Sequence, residues 1–341
     1  MKQSISKRIN IGITAGDPCG IGPEIILKAL AKIDVKDVHF FIIGDYSVFK
    51  RVKDRLKYRN IKTPHFTIIR SLDNLSKISK RISLIDLDII TKRKFCMGKA
   101  HKVCGYASVE YIKESVNLAK KGIINALVTA PINKKSIHLA GYKWPGHTEL
   151  MAELTKTKKY AMMFIAGHIK VVLVTTHLPI KEVSNGLRSQ DIYEKIRLSH
   201  MYLKRYFNIK KPLIGICGLN PHASDGGVFG DEEEKIILPA ARKARKDKIN
   251  VVGPESAESL FYKMYHKEID IVICMYHDQG LVPIKMILRD KAVNLTLGLP
   301  FIRTSPSSGT AYDISPKFIA SEASMMEAIK LAIRLSRVKS G

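Results

Sequence analysis

The sequence lacks any apolar run approaching the roughly 18 to 20 residues that a membrane-spanning helix needs, which predicts a soluble protein. Near the first residue there is no apolar signal core followed by a small-residue cleavage site, so export is not expected. The five cysteines are odd in number and include no C-x-x-C pair. This usage predicts a reducing compartment, the bacterial cytoplasm, rather than a disulfide framework.

Glycine-rich phosphate motifs are also missing. A strand predicted at 8–14 is followed by A-G-D-P-C-G-I-G-P-E, in which Pro23 and Glu24 begin a helix. Ile25 stands where the dinucleotide fingerprint G-x-G-x-x-G needs its third glycine, and no Walker sequence occurs. Neither of these two nucleotide-binding loops is therefore predicted.

Acidic residues are scarce relative to basic ones. The 57 Lys and Arg residues exceed the 31 Asp and Glu residues and give a formal net charge of +26. The basic residues are spread over predicted helix faces, without RGG tracts, RNP-type aromatic motifs or zinc fingers. We expect a solvated, lysine-rich surface that favours anionic ligands, and nucleic-acid binding without catalysis is the alternative.

The chain of 341 residues, 45% of them hydrophobic, alternates strand-like and helix-like segments. Helices are predicted at 100–121, 190–206, 256–266 and 324–335, among others. Strands are predicted at 8–14, 39–43, 66–70, 82–87, 126–129, 161–165, 171–175, 213–217, 269–275 and 292–297. This alternation predicts an α/β fold whose parallel or mixed sheet carries helices on both faces.

Three histidines follow predicted strands. His177, His222 and His277 each come just after an apolar, β-branched run. Strands that run in the same direction would bring all three to one edge of the sheet. Three neutral imidazoles with an open position form a catalytic site for Zn²⁺ or another divalent ion. The alternative is that they are unrelated loop histidines.

Several polar residues near turns and strand ends could bind an anion. They are Thr148, Lys285, Asn294 and Arg303. Each also has an ordinary structural explanation: Thr148 as a helix cap, and Lys285 and Arg303 as surface charges. Asn294 is different, because it lies inside the apolar run at 292–297, where a buried amide needs hydrogen-bond partners.

Six motifs occur in one order along the chain. They are G-D-P-C-G-I-G-P-E at 16–24, P-G-H-T-E at 145–149, T-H-L-P at 176–179, L-N-P-H-A at 219–223, Y-H-D-Q-G at 276–280 and N-L-T-L-G-L-P-F-I-R-T-S at 294–305. Over nearly its full length the sequence closely resembles the 4-hydroxythreonine-4-phosphate dehydrogenases, the PdxA family of pyridoxal phosphate biosynthesis. One such motif alone would carry little weight, but six in the right order are specific.

The resemblance implies an isocitrate/isopropylmalate dehydrogenase-like fold with two α/β lobes, a mixed sheet and an interlobe cleft. The expected lobes are 1–138 with 301–341 on the cofactor side, and 139–300 for metal, substrate and dimer interface. It further implies a homodimer in which a divalent ion (Zn, Mg or Co) is bound by His177, His222 and His277 across the subunits.

The resemblance also implies roles for other residues. The substrate-binding residues implied are His147, Thr148, Lys285, Asn294 and Arg303. The loop bordering NAD or NADP contains Gly309, Thr310, Ala311 and Asp313. Lys285 or Asp278 is the expected catalytic base, and the sequence does not choose between them.

The chain departs from the usual family pattern at three places. Ser307-Ser308 replaces Asp-His before the cofactor loop, and Ser315-Pro316-Lys317 replaces Gly-Lys after it. Both changes leave the choice of NAD or NADP open. Ala257-Glu258-Ser259 stands where the family commonly has Ala-Asp-Thr, which lengthens a carboxylate expected near the substrate.

The activity that the resemblance implies is oxidation of 4-phosphohydroxy-L-threonine to a β-keto acid, which loses CO₂ to give 3-amino-2-oxopropyl phosphate. Two other enzymatic interpretations remain open. One is a paralogue that oxidises another phosphorylated hydroxy acid, of the phospho-threonate or phospho-erythronate type. The other is a three-histidine metal hydrolase that needs no nicotinamide.

Overall fold

The computed structural model describes residues 8–71, 80–90 and 95–340. The chain divides into two compact units. Unit 1 comprises residues up to 157 and residues 299–337, and unit 2 is formed by residues 158–298 with the last residues of the chain. Within the ranges described, no helix is both long and apolar enough to cross a membrane.

The strands and helices are numbered in chain order. The strands are β1 (Ile9–Thr14), β2 (Val38–Gly44), β3 (Thr67–Ile69), β4 (Ile82–Asp86), β5 (Ala126–Thr129), β6 (Ala161–Ala166), β7 (Ile169–Leu173), β8 (Ile214–Cys217), β9 (Val251–Glu255), β10 (Ile271–Cys274), β11 (Val293–Leu297) and β12 (Ile302–Pro306). The helices are α1 (Gly22–Lys32), α2 (Tyr46–Tyr58), α3 (Lys102–Lys120), α4 (Lys134–Leu139), α5 (His147–Leu154), α6 (Ile180–Gly186), α7 (Ser189–Phe207), α8 (Leu238–Lys246), α9 (Ala257–Tyr265), α10 (His277–Leu288) and α11 (Ala323–Ser340).

In unit 1 the strands form a parallel sheet in the order β3-β4-β2-β1-β5-β12. The two central strands β1 and β2 are almost entirely buried. Parallel strands covered by helices on both faces need such near-continuous apolar runs. Strands β5 and β12 differ from these two strands, because β5 ends in a polar residue and β12 contains several polar residues.

Unit 2 has a mixed sheet in the order β11-β6-β7-β10-β8-β9. The pairs β11–β6 and β6–β7 are antiparallel, whereas β7, β10, β8 and β9 pair in parallel. Because β7, β10 and β8 are parallel neighbours, the segments that follow them leave the same edge of the sheet. The predicted α/β class with a mixed sheet is confirmed.

The expected boundary between residues 138 and 139 lies earlier in the chain than the observed one after residue 157. Helices α4 and α5 stay with unit 1 because they pack against α3. A Cβ atom on Gly105 of α3 would lie 1.9 Å from the carbonyl oxygen of Ser136 in α4. Lys120 Nζ, at the end of α3, donates a hydrogen bond to the Leu154 carbonyl at 2.9 Å. The motif that contains His147 therefore belongs to unit 1.

The ten predicted strands correspond to β1–β8, β10 and β11. Strands β9 and β12 were not predicted. Strand β9 contains Gly253 and Pro254, which strand patterns rarely tolerate. Strand β12 reads I-R-T-S-P, and its polar composition is typical of a loop, although all five residues are buried.

The Y-H-D-Q-G motif at 276–280 does not form a turn, because α10 begins at His277 and Gly280 lies inside it. Gly280 has no turn role. A Cβ atom there would lie 2.7 Å from Leu173 Cδ2 and 3.2 Å from Cys274 Sγ. The glycine is needed because α10 packs directly on β7 and β10.

Candidate functional site

Arg303 is a deeply buried basic residue of unit 1. It lies on β12 with 2% of its surface exposed, so the surface-charge explanation is wrong. Its Nε and Nη2 atoms donate hydrogen bonds to Thr129 Oγ1 at 3.1 and 2.6 Å. Burial lowers the pKa of Arg303 to about 9, and the Glu149 carboxylate acts in the opposite direction. The guanidinium is therefore charged at neutral pH, although burial disfavours the charged form.

His147 begins α5 and is neutral at physiological pH. Burial, then the charge of Arg303, lowers its pKa well below the ordinary value, and a hydrogen bond to the Ala130 carbonyl opposes this. Its Nε2 atom is shielded from solvent and has no hydrogen-bond partner among the described residues. The Ala130 bond therefore belongs to Nδ1–H, and this tautomer leaves Nε2 as a buried acceptor.

Thr148 is buried in the first turn of α5, with 5% of its surface exposed. The residue at the N-cap position is Gly146, not Thr148. The helix-cap explanation for Thr148 is therefore wrong. The neighbouring His147 and Arg303 interact electrostatically, which places the start of α5 near the beginning of β12.

The loop at 309–313, expected to border the cofactor, packs against the loop that follows β1. The Thr310 carbonyl accepts a hydrogen bond from Ile21 N at 3.0 Å, and Thr310 Oγ1 lies 3.4 Å from Asn133 Nδ2. Tyr312 donates its hydroxyl hydrogen to Asp17 Oδ2 at 2.7 Å. Burial raises the pKa of Asp17.

This loop has one open position and one strained one. A Cβ atom on Gly309 would meet nothing within 4 Å, so the backbone there is accessible to a ligand. Ala311 has a φ of 45°, in the left-handed region that side chains other than glycine rarely adopt. Its carbonyl accepts hydrogen bonds from the backbone nitrogens of Ile314 and Ser315. Asp313 lies in this turn and is exposed.

The three candidate metal-binding histidines lie in unit 2, after the neighbouring parallel strands β7, β8 and β10. The His177 and His277 rings have centroids 6.3 Å apart. In the described part of the chain, the only His, Cys, Asp or Glu set whose ligand atoms all lie within 4.8 Å is Asp17, Cys19 and Cys104, which is buried in unit 1. The ligand atoms of the three imidazoles thus do not meet in the isolated chain.

The donor set nevertheless suits a divalent ion. His277 Nδ1 is hydrogen-bonded to Asp278 Oδ1 at 2.6 Å, which leaves Nε2 as the ligand atom. A carboxylate that holds the second ring nitrogen is the usual support for a metal-binding histidine. His222, at the end of the neighbouring β8 segment, interacts electrostatically with Glu258.

Two cavities adjoin the histidines. The larger, of about 640 Å³, is lined by His222, Glu258 and Asp278, among others. The smaller, of about 270 Å³, is lined by His177 and His277. Tyr276 and Asp278 line both cavities, so the cavities of His222 and of the His177–His277 pair adjoin.

The backbone that carries His222 is left-handed over several residues. The φ angles of His222, Ala223, Ser224 and Asp225 are 53°, 53°, 68° and 44°, and glycines follow. For L-residues this conformation costs roughly 1–2 kcal/mol each. Such a strained backbone conformation persists only where surrounding contacts enforce it, and strained residues cluster at functional sites. Sequence reasoning gave no signal for it.

Asn294 and Lys285 are the other predicted substrate-binding residues. Asn294 lies in β11, and its Oδ1 is buried without a hydrogen-bond partner in the described structure. Its Nδ2 makes only a weak contact with Met162 Sδ at 3.6 Å. The amide is thus short of partners, as its place in an apolar run suggested. Lys285 is exposed on α10, on the helix that begins with His277.

Residues 36–332 match the sequence model of the family described as pyridoxal phosphate biosynthetic protein PdxA. The chain belongs to the PdxA family. A PdxA relative from Sulfurihydrogenibium sp. (strain YO3AOP1), "4-hydroxythreonine-4-phosphate dehydrogenase", is 42% identical over 333 residues, which are 97% of this chain and 99% of the relative. A second relative, "D-threonate 4-phosphate dehydrogenase" of Cupriavidus necator, is 40% identical over 332 residues, 96% of this chain and 97% of its own.

The crystal structure of 4-hydroxythreonine-4-phosphate dehydrogenase from Klebsiella pneumoniae is similar to this chain with a TM-score of 0.86 and 35% identity. The similarity covers 98% of this chain and 99% of that one. These similarities confirm the resemblance to the PdxA family and the expected fold class. Sequence reasoning did not assign Thr129, Asp17 and Gln279 to the site. All three act through hydrogen bonds to residues distant in sequence.

Proposed function

We propose that the protein is an NAD(P)- and divalent-metal-dependent dehydrogenase acting on 4-phosphohydroxy-L-threonine. It oxidises the secondary alcohol to a β-keto acid, which loses CO₂ to give 3-amino-2-oxopropyl phosphate. Membership in the PdxA family and relatives named for this activity support the proposal. The observation that carries it within this chain is the buried Arg303 beside the neutral His147.

Arg303 supplies the positive charge for the substrate phosphate. Its guanidinium is held in place by Thr129, and an arriving phosphate would compensate a charge that burial now leaves poorly solvated. Thr148 and His147 stand at the start of α5, where the helix dipole also favours an anion. His147 Nε2 is an acceptor for a hydroxyl or ammonium hydrogen. Asn294 Oδ1 is a second such acceptor.

His177, His222 and His277 hold the divalent ion. When bound, the ion acts as a Lewis acid that stabilises the alkoxide and the enolate. Asp278 keeps His277 oriented through the bond to Nδ1, so its carboxylate is already engaged. That engagement favours Lys285, on the same helix, as the residue that accepts the hydroxyl proton.

A second copy of the chain completes the metal site. Large apolar side chains are exposed close to each histidine segment of unit 2: Ile180 after His177, Val228 after His222, and Val282 and Met286 on α10. Exposed apolar groups of this size are typical of a protein interface. Together with the incomplete histidine set, they support a homodimer with shared sites.

The loop at 309–313 borders the nicotinamide cofactor. The accessible Gly309 backbone and the Thr310 hydroxyl are its two candidate contacts in unit 1. The cofactor supplies the hydride acceptor. Whether it is NAD or NADP depends on surrounding residues that differ here from the family pattern.

The second candidate function is oxidation of D-threonate 4-phosphate, which shares the phosphate and carries a hydroxyl in place of the amine. It is favoured by the similarity to the relative from Cupriavidus necator. An assay of absorbance at 340 nm distinguishes the two candidate functions. Each substrate is tested with NAD⁺ and with NADP⁺, and a chelator is added as a control. Higher kcat/KM on D-threonate 4-phosphate would overturn the first assignment.

A further inference from the structure

The residue types in the loop that carries His222 do not favour the backbone conformation that the loop adopts. Four consecutive residues, from His222 to Asp225, adopt left-handed φ angles, although none of them is glycine. Backbone bonds within the segment include Val228 N to the Ser224 carbonyl. Ala223 N also donates to the Asn220 carbonyl, and Phe229 N to the Ser224 carbonyl, both at 3.1 Å. Because left-handed φ angles are unfavourable for these residue types, contacts from outside the segment must support the conformation as well.

Glu233 supplies these contacts. Its Oε1 atom accepts hydrogen bonds from Leu219 N at 2.7 Å and from Asn220 N at 2.9 Å. Its Oε2 atom accepts a third from Asn220 Nδ2 at 2.9 Å. Only 4% of Glu233 is exposed, so these bonds form away from bulk water, where charge-assisted bonds are strong.

The neighbouring backbone is shaped to receive this carboxylate. A Cβ atom on Gly218 would lie 2.9 Å from Glu233 Oε1, so a side chain there would push the carboxylate away. On the opposite side, Gln279 Nε2 donates to the Gly218 carbonyl at 2.8 Å, and Gln279 Oε1 accepts from Met275 N at 2.7 Å. The base of the His222 loop is thus fixed from two directions.

We infer that Glu233 is a positioning residue that holds the His222 loop in its left-handed conformation and thereby prepares the imidazole for a divalent ion. The inference rests on the proposed metal site. Glu233 itself does not contact the ion or the substrate. The adjacent Glu232 also supports the loop, because its Oε2 atom accepts a hydrogen bond from Asn220 Nδ2 at 2.7 Å. In contrast, Glu234 is exposed and makes only a long ion pair with Arg242.

The test measures metal affinity of the full chain rather than activity. Metal-free protein is titrated with Co²⁺ or Zn²⁺ in competition with a chromophoric chelator, and the visible Co²⁺ absorption reports the ligand geometry. The variants are Glu233→Ala, Glu233→Gln, the matched control Glu234→Gln, and His222→Ala. Circular dichroism and thermal unfolding of each metal-free variant report folding separately.

We expect Glu234→Gln to bind like the wild type and Glu233→Ala to bind roughly 10- to 100-fold more weakly, the usual loss for a group that supports a ligand. Glu233→Gln keeps the acceptor for the two backbone hydrogens but turns a second donor toward Asn220 Nδ2, so a smaller loss of about three- to tenfold is expected. This variant keeps the test decisive if the alanine variant does not fold.

The outcomes separate the two hypotheses. Wild-type affinity in His222→Ala, or no metal binding by the wild type, would contradict the proposed metal site itself. Loss of binding in His222→Ala with unchanged affinity and Co²⁺ spectrum in folded Glu233→Gln and Glu233→Ala would overturn the positioning role. In that case a lowered melting temperature alone would show that Glu233 only stabilises the fold.

Discussion

Arg303, near the beginning of β12, donates two hydrogen bonds to the hydroxyl oxygen of Thr129, at the end of the neighbouring parallel strand β5, at 3.1 Å from Nε and 2.6 Å from Nη2. The guanidinium plane is thereby fixed before any ligand arrives. A planar, immobile cation loses little conformational entropy when it binds a phosphate. Arg303 is therefore preorganised for an anion.

Arg303→Lys should remove this preorganisation while keeping a positive charge. We expect kcat/KM with the phosphorylated substrate to fall by about 10²- to 10³-fold, because the forked donor and the Thr129 bonds are both lost. With a dephosphorylated analogue the change should be small. Steady-state rates at 340 nm measure both. Arg205→Lys, on the α7 surface, is the control, and equal losses on both substrates would show that Arg303 does not bind the phosphate.

The sequence predicted the class of fold because alternating apolar runs and amphipathic helices carry that information locally. Of the twelve strands in the described part of the chain, ten were predicted in this way. Strand β12 was missed because I-R-T-S-P has a loop-like composition, and its burial depends on Arg303 finding Thr129 far away in sequence. Local sequence patterns do not reveal contacts between residues that are distant in sequence.

The candidate site could be predicted only in part. The histidines were visible because each follows a buried strand, and Asn294 because an amide inside an apolar run is unusual. The left-handed loop at 222–226 and its support from Glu233 were not visible. Residues with ordinary side chains adopt that conformation only under contacts made by the complete fold.

His39 should make the fold sensitive to acid. Burial, then the charge of Arg8, lowers its pKa to about 4 in the folded protein, against 6.5 for the free side chain. Between these two values the unfolded chain binds a proton that the folded one does not, so stability falls as the pH decreases through this window. His39→Gln, which keeps a polar partner for Ser83, should reduce the proton uptake on unfolding by up to about one.

Urea unfolding at several pH values between 4 and 7 measures this slope. The variant's stability should decline less steeply than that of the wild type over the same range. His65→Gln, on an exposed histidine, is the matched control and should leave the slope unchanged. Identical slopes for His39→Gln and the wild type would show that His39 binds its proton equally in the folded and unfolded states.

Gly280→Ala should destabilise unit 2 through a steric clash. The added methyl group would lie 2.7 Å from Leu173 Cδ2 and 3.3 Å from Val171 Cγ2, so α10 would have to move away from the sheet. Overpacking of this kind costs about 1–3 kcal/mol, more than the helix propensity that alanine adds. Gly309→Ala, whose Cβ meets nothing within 4 Å, is the control for chemical denaturation. Equal free energies of unfolding for the two variants would mean that the side chains around Gly280 can move to accept the methyl group at little cost.

Shared metal sites should allow two inactive variants to complement each other. The isolated chain does not bring the ligand atoms of His177, His222 and His277 together, and exposed apolar side chains flank their segments. His177→Ala and His277→Ala should each lose bound metal and nearly all turnover. If His177 and His277 of one site come from different subunits, mixed dimers regain one complete site out of two, and free exchange should restore about a quarter of wild-type activity.

Coexpression with two different affinity tags isolates the mixed dimers, in which about half of the wild-type activity is expected per dimer, because one of the two sites is intact. Metal content should recover in the same proportion, since only complete sites retain the ion. A mixture of His177→Ala with itself under both tags controls for the effect of the tags. Purified mixed dimers with no activity and no metal would show that a single subunit supplies both His177 and His277 to a site.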